Sequence, residues 1–217
     1  MSWQDIWAVD WPDDVDIRVA NLWPSVLRRN VQMELRYLRG VSCRCQDGDC
    51  LVISCVCYAA SLECEGMCSN PGCKNSRLRC RKWGAVEVYD TQVYGLGLRA
   101  KQVFNNGDLV VEYVGSVCSS ADLPENIDER RYVVDIGHGL FVDAAVIGGI
   151  ARYINHSCVP NCRLLRWIVD GLPRVGVFAV TEVGCGTEIT VDYGIAGFGV
   201  VSGFRCECKK CRVIGGN

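Results

Sequence analysis

Apolar residues recur along this chain in short runs, not in long amphipathic stretches. Runs rich in Val, Ile, Leu and Tyr occupy residues 85–89, 109–114, 132–136, 140–142, 175–180 and 188–191, and Gly or Asn punctuates the intervals between them. Such runs predict β-strands, because a half-buried strand needs only a few apolar side chains before the chain turns. The second half of the chain is therefore expected to be a mostly β domain of small sheets. Helical spacing is confined to residues 26–38, where Ser25 is placed to cap a short amphipathic helix.

Between these regions the pattern disappears. Residues 43–80 hold nine cysteines in 38 positions and almost no apolar periodicity. Such a segment cannot rest on an apolar core and must be held by something else. The shifts divide the chain into four parts. A docking segment spans 1–42, acidic at Asp10, Asp13, Asp14 and Asp16 and then basic at Arg28, Arg29, Arg36 and Arg39; a Cys-rich module spans 43–82, the β domain 83–194 and a tail 195–217.

Composition changes the picture in three ways. A chain of 217 residues, 49% of them hydrophobic, can bury one core with an accessory module beside it. A net charge of -2 supplies no global basic field, so any contact with DNA is expected to be local. No run approaches the roughly 18 apolar residues of a membrane span, and Met1 to Asp5 lacks the basic-then-apolar order of a signal peptide. A soluble intracellular protein without membrane contact is expected. In a reducing compartment, sixteen cysteines point to metal; the alternative is a secreted scaffold of eight disulfides.

The cysteine spacing favours metal. Cys43-x-Cys45 and Cys55-x-Cys57 each set two thiolates on one extended stretch, where they can bind different ions or share one, whereas a disulfide between them would be strained. With Cys50, Cys64, Cys68, Cys73 and Cys80, the nine thiolates suit two or three tetrahedral Zn²⁺ ions, an iron–sulfur cluster being the weaker alternative. Their role is expected to be structural. Residues Gly95 to Ala100 also satisfy the G-x-G-x-x-A pattern of a dinucleotide-binding turn. The context fails, since that turn must open a helix of about ten residues or more, and Asn105-Asn106-Gly107 follows too soon. The glycines are expected instead to turn tightly or to let the backbone approach another ligand.

Three further stretches complete a constellation: Val111-Glu112-Tyr113-Val114-Gly115, then Arg152-Tyr153-Ile154-Asn155-His156-Ser157-Cys158-Val159-Pro160-Asn161-Cys162, then Glu188-Ile189-Thr190-Val191-Asp192-Tyr193. Taken in order with Tyr94 to Ala100, they resemble the four signature motifs of the SET-domain methyltransferases, and the resemblance runs from about Cys43 to the C-terminus. It implies a β-clip SET fold with an N-terminal zinc-cluster module and a C-terminal zinc-binding tail. It also implies S-adenosylmethionine as cofactor, methyl transfer to a lysine of a histone H3 tail or nucleosome, monomeric action and a place in the nucleus on chromatin. Finer features, Trp167 to Ala179, Arg81-Lys82-Trp83 and Cys211 to Gly216, resemble the branch that methylates lysine 36 of histone H3, whose zinc module is called AWS. Cys43 to Cys57 also resembles the pre-SET module of the lysine 9 enzymes, and Cys55 to Cys64 the CXC module of the lysine 27 enzymes. Lysines 9 and 27 therefore stay as alternative targets.

By the same resemblance, the backbone of Tyr94, Gly95, Leu96 and Gly97 holds the cofactor, Asn155 and His156 bind it, Arg152 fixes their loop, and Phe204 joins it from the tail. Arg130, Arg131 and Tyr132 border both the cofactor and the lysine channel. Tyr193 is expected beside the transferring methyl, with Tyr113 and Tyr132 lining the channel. The chemistry is an in-line displacement by a neutral amine, so alignment and desolvation of the lysine matter more than a strong acid or base. The resemblance further makes Cys158 a ligand, with Cys206, Cys208 and Cys211, of a Zn²⁺ that clamps the tail over the site, giving three or four Zn²⁺ per chain. Cys118, Cys162 and Cys185 fall outside both sites and are expected as buried small hydrophobes. The rival is a SET-fold, zinc-stabilised chromatin-binding module without turnover, which need not take up cofactor.

Overall fold

A computed structural model of the chain describes residues 16–194, apart from 19, 39, 40, 42, 65–67, 69 and 127–129. In chain order its strands are β1 (Asp16–Ile17), β2 (Val86–Asp90), β3 (Leu96–Ala100), β4 (Leu109–Tyr113), β5 (Gly115–Ser119), β6 (Val133–Gly137), β7 (Leu140–Gly148), β8 (Asn155–His156), β9 (Cys162–Val169), β10 (Leu172–Ala179) and β11 (Thr190–Val191), and its helices are α1 (Ser25–Glu34) and α2 (Val56–Ala59). Each of the six apolar runs carries a strand. The strands form small sheets: β7 lies between antiparallel β5 and β6 and takes β1 in parallel at its end, β10 lies between β4 and β9, β2 pairs with β3, and β8 pairs in parallel with β11.

Local chemistry explains the less obvious elements. Strand β9 turns into β10 through Asp170-Gly171, at φ 52 and 71, a two-residue turn whose positive φ values match the twist of the strands it joins. All five residues of β4 are buried, including Glu112, which is tolerated there because the Arg174 guanidinium on β10 grips its carboxylate through both Nε and Nη2. Val110, Val142, Leu98, Ile189 and Phe104 fill the shared core.

The N-terminal helix departs from expectation at both ends. Ser25 is its first residue and not its cap: the Pro24 carbonyl accepts Arg28 N at 2.9 Å, and no side chain of the described residues caps the end. Proline fixes the entry angle, so the chain is already helical at Ser25. The helix stops at Glu34, and Arg36–Leu38 tighten into a 3-10 turn. Val31 and Leu35 join the core. Leu22 exchanges backbone hydrogen bonds with Gly115 and Val117, and Arg18 N donates to Gly148 O, so this segment lies against β5 and β7. Residues 1–15 of the docking segment fall outside the described residues.

The Cys-rich module has a core of sulfur. Cys43, Cys50, Cys55, Cys57 and Cys64 are buried there with Leu62, and the partly buried Leu38, Val41, Tyr58 and Ile168 pack against them. It is bolted to the β domain by Glu63 N to Ile168 O at 3.0 Å, Ile168 N to Ser61 O at 2.9 Å and Arg174 Nη2 to Leu78 O at 2.9 Å. Among the described residues, no helix is long and apolar enough to cross a membrane.

Candidate active site and metal centre

Two recesses share one wall. The first, about 400 Å³, is lined by Tyr94, Leu96, Tyr132, Ala145, Arg152, Tyr153, Asn155 and Tyr193, a volume ordinary for a small-molecule site. The second is much narrower, and Tyr113, Val133, Ile154, Leu164 and Val191 complete it around Tyr132, Arg152 and Tyr193. A polar chamber thus meets an apolar slot at two tyrosines and an arginine.

The tyrosine hydroxyls are held as donors. Tyr193 Oη donates to Ile154 O at 2.6 Å, and Tyr113 Oη to Tyr132 O at 2.8 Å. Burial pushes both phenols above their ordinary pKa, and each is raised further by a neighbouring tyrosine. Neither is a base at neutral pH; both orient the carbonyls that border the slot.

Arg152 stands at the junction. Its Nε donates to Ala144 O at 2.8 Å and its Nη2 to Ala145 O at 3.0 Å, while the guanidinium lies 4.1 Å from the Tyr132 ring centroid and 5.1 Å from that of Tyr153. It therefore ties the turn before Asn155 to β7 and props Tyr132. Arg131 lines the slot. Arg130 is not brought to either recess: its Nε donates to Pro124 O at 2.6 Å.

The Asn155-His156 strand sits beside β11, registering Thr190 with Asn155 and Val191 with His156. His156 lines neither recess. Its Nδ1 accepts Tyr193 N at 3.0 Å, so the ring proton belongs on Nε2, which points at Cys158 Sγ 3.3 Å away. Burial holds its pKa below the usual imidazole value, with Asp192 working against that, and the neutral ring suits this role.

The glycine turn fits a ligand. Gly95 takes φ +73, and apart from its chain neighbours no atom of the described residues lies within 4 Å of where its Cβ would be, which suits close approach of a ligand to the backbone. The pocket offers aromatic faces for a flat base and polar groups for a charged end, which is the chemistry that S-adenosylmethionine presents.

In the metal centre, three sets of thiols gather: Cys43, Cys45, Cys50 and Cys55; Cys43, Cys64 and Cys68; Cys50, Cys68 and Cys73, each with sulfurs within 4.8 Å of one another. Sulfur separations of 3.5 Å for Cys43–Cys50, 3.3 Å for Cys43–Cys68 and 3.9 Å for Cys43–Cys64 are far too long for disulfides. They approach the edge of roughly 3.8 Å of a tetrahedron with Zn–S bonds of about 2.3 Å. The donor set fits zinc, and Asn70 Nδ2 donates to Cys50 Sγ at 3.3 Å, as outer donors to metal thiolates do.

Among the described residues, seven thiols are assembled this way, and Cys57 and Cys80 are not among them. Cys57 is buried beside Cys64, and Cys80 is exposed, its sulfur 3.5 Å from Ser76 Oγ. The turn at residues 77–81 is fixed by the Glu63 carboxylate, which accepts Leu78 N at 2.6 Å and Arg79 N at 2.8 Å. Cys158 is half-buried, while its expected co-ligands Cys206, Cys208 and Cys211, like Phe204, lie outside the described residues. Cys162 is buried, its thiol pushed up to about 12 by that burial. Cys118 is half-buried, and Cys185 is exposed, contrary to expectation, because it sits in the turn beside Gly184 and Gly186.

Residues 95–194 match the family model described as SET domain, and the chain belongs to the SET-domain methyltransferase family. Within it, the chain stands close to the branch of the histone H3 lysine-36 enzymes. It is 34% identical over 167 residues to the histone-lysine N-methyltransferase ASHR3 of Arabidopsis thaliana, covering 73% of this chain and 33% of that protein. It is 30% identical over 201 residues to the H3 lysine-36 specific histone-lysine N-methyltransferase of Yarrowia lipolytica (84% and 26%), and 30% over 190 residues to that of Saccharomyces cerevisiae (81% and 25%). The chain spans a third or less of the length of these three relatives.

Proposed function

We propose that this chain is a histone-lysine methyltransferase that takes its methyl group from S-adenosylmethionine and acts on histone H3, with lysine 36 the favoured target. One observation carries the reading: a roomy polar chamber and a narrow apolar slot meet at Tyr132, Arg152 and Tyr193. The bound cofactor supplies an electrophilic methyl. Tyr94, Leu96 and Asn155 hold it from the chamber side. The slot, walled by Val133, Leu164, Val191 and the tyrosine rings, strips water from an incoming lysine, which favours the neutral amine that attack requires, and Tyr193 fixes the Ile154 carbonyl at the shared wall. Lysine 36 is supported by the kinship with lysine-36 specific enzymes. A nuclear, chromatin-bound protein follows from that target, and we expect it to act as a monomer.

Radiolabelled methyl transfer onto nucleosomes and H3 tails, with mass spectrometry to locate the lysine, tests the reading. Label at lysine 36 is expected; product confined to lysine 9 or lysine 27 would assign the enzyme to another target, and no label on any histone would remove the activity.

The seven assembled thiols suit two Zn²⁺ sharing a ligand, and the Cys158 tail site adds one, so we expect about three per chain. Cys80→Ser should keep every ion, whereas Cys43→Ser, which touches two of the three thiol sets, should lose at least one. Elemental analysis of the purified variants decides it: a zinc lost with Cys80 would restore the nine-thiolate reading.

A further inference from the structure

Glu188 is a charged side chain that the proposed mechanism does not use, and it touches the chamber through Asn155, which lines it. It stands just before β11, its backbone pairs with Arg99 of β3 in an isolated antiparallel β-bridge, and its backbone carbonyl accepts Asn161 Nδ2 at 2.8 Å. Its carboxylate Oε1 accepts Asn155 Nδ2 at 2.9 Å, and the same Nδ2 reaches Leu96 O at 3.4 Å. A Cβ on Gly97 would lie 3.0 Å from that carboxylate oxygen, 3.1 Å from Asn155 Nδ2 and 2.6 Å from Thr91 Cγ2. The missing side chain at Gly97 is what lets the carboxylate and the amide meet. Residues from three separate segments therefore converge on one hydrogen bond.

A primary amide offers two N–H donors and one carbonyl acceptor. With its Nδ2 committed to Glu188 and Leu96, Asn155 keeps only Oδ1 for a ligand. A carboxylate accepts and cannot donate, so it selects one of the two orientations the amide could take. We propose that Glu188 is a positioning residue, which locks the Asn155 side chain so that its carbonyl oxygen receives an N–H donor of the bound cofactor. The inference rests on the S-adenosylmethionine reading. That molecule has two such donors, the ammonium of its methionine half and the exocyclic amine of its adenine.

Calorimetric titration separates them, using S-adenosylhomocysteine and 5′-methylthioadenosine, which keeps the adenine amine but lacks the amino-acid half. Glu188→Gln removes the obligate acceptor at nearly constant volume and is expected to weaken S-adenosylhomocysteine binding by about tenfold, the scale of one misdirected hydrogen bond. Loss confined to S-adenosylhomocysteine assigns the ammonium; equal loss with both ligands assigns the adenine amine. A role limited to holding the fold would persist without the amide, so on an Asn155→Ala background Glu188→Gln should change nothing further. The swap supplies a second readout: Asn155→Asp sets two carboxylates together and weakens binding, and adding Glu188→Gln restores most of it. Unchanged affinity in Glu188→Gln, an undiminished loss on the Asn155→Ala background, or a swap without recovery overturns the proposal. A wild-type protein that binds neither ligand overturns the cofactor reading instead.

Discussion

Tyr193→Phe is expected to lower methyl transfer by roughly a hundredfold, the order seen when one oriented donor is removed from a catalytic site. The hydroxyl stands where the chamber and the slot meet, and it donates to Ile154 O at 2.6 Å. Removing it leaves that carbonyl without its tyrosine partner and lets it turn, which misaligns the slot against the chamber. The ring keeps its packing on His156, 5.3 Å between centroids, so the fold should lose only about 1 kcal/mol and cofactor affinity should be nearly unchanged. Single-turnover rates and a calorimetric titration on the same preparation check this. A rate within threefold of wild type would take Tyr193 out of the mechanism, and lost cofactor binding would make it a pocket residue.

The largest effect on stability is expected at Arg174. Its guanidinium grips the carboxylate of Glu112, a residue only 4% exposed on the fully buried β4, and it holds Leu78 O at the edge of the Cys-rich module. Arg174→Met leaves a buried carboxylate unpaired, which costs about 3–5 kcal/mol, a large part of the 5–15 kcal/mol typical of a folded domain. The double variant Arg174→Met/Glu112→Leu removes the orphaned charge and should regain most of the loss. Denaturant unfolding of the wild type and the variants measures both terms. A single variant destabilised by less than about 1 kcal/mol would mean that water reaches Glu112 and that the pair is not a clamp.

What could be read before the fold was known follows the range of the physics involved. Strands β4, β6 and β10 were legible because period and turn chemistry act over a few residues. Strand β3 was hidden, since Leu96 to Ala100 presents itself as a glycine turn, and β9 was hidden by the exposed Arg163 and Arg166, which interrupt its apolar alternation. The Asp170-Gly171 turn was the signal that could have revealed the β9–β10 hairpin. Of the site, the motifs named Tyr94, Leu96, Asn155 and Tyr193, which the fold brings together around the chamber. They could not separate His156, which stands behind Tyr193, from the residues that face a ligand, nor remove Arg130. The Glu112–Arg174 grip joins residues 62 apart, and no local pattern encodes it. Cysteine spacing counted the thiols but not their destinations, because the turn that carries Cys80 is fixed by the Glu63 carboxylate, a contact that no cysteine spacing encodes.

The parallel pairing of β8 with β11 has a consequence for the order in which the molecule is made. Asn155 and His156 receive their partners from Thr190 and Val191, and the hydroxyl that fixes Ile154 comes from a residue 39 positions further along. At the other end, Asp16 and Ile17 wait for Ile147 and Gly148. Contacts of such separation must close long loops before they gain anything, which slows folding and places them late in it. A nascent chain leaving the ribosome can complete β2, β3 and much of the Cys-rich module while the catalytic pocket still lacks a wall. Catalytic competence should therefore arrive all at once, only after the polypeptide has been synthesised past Tyr193.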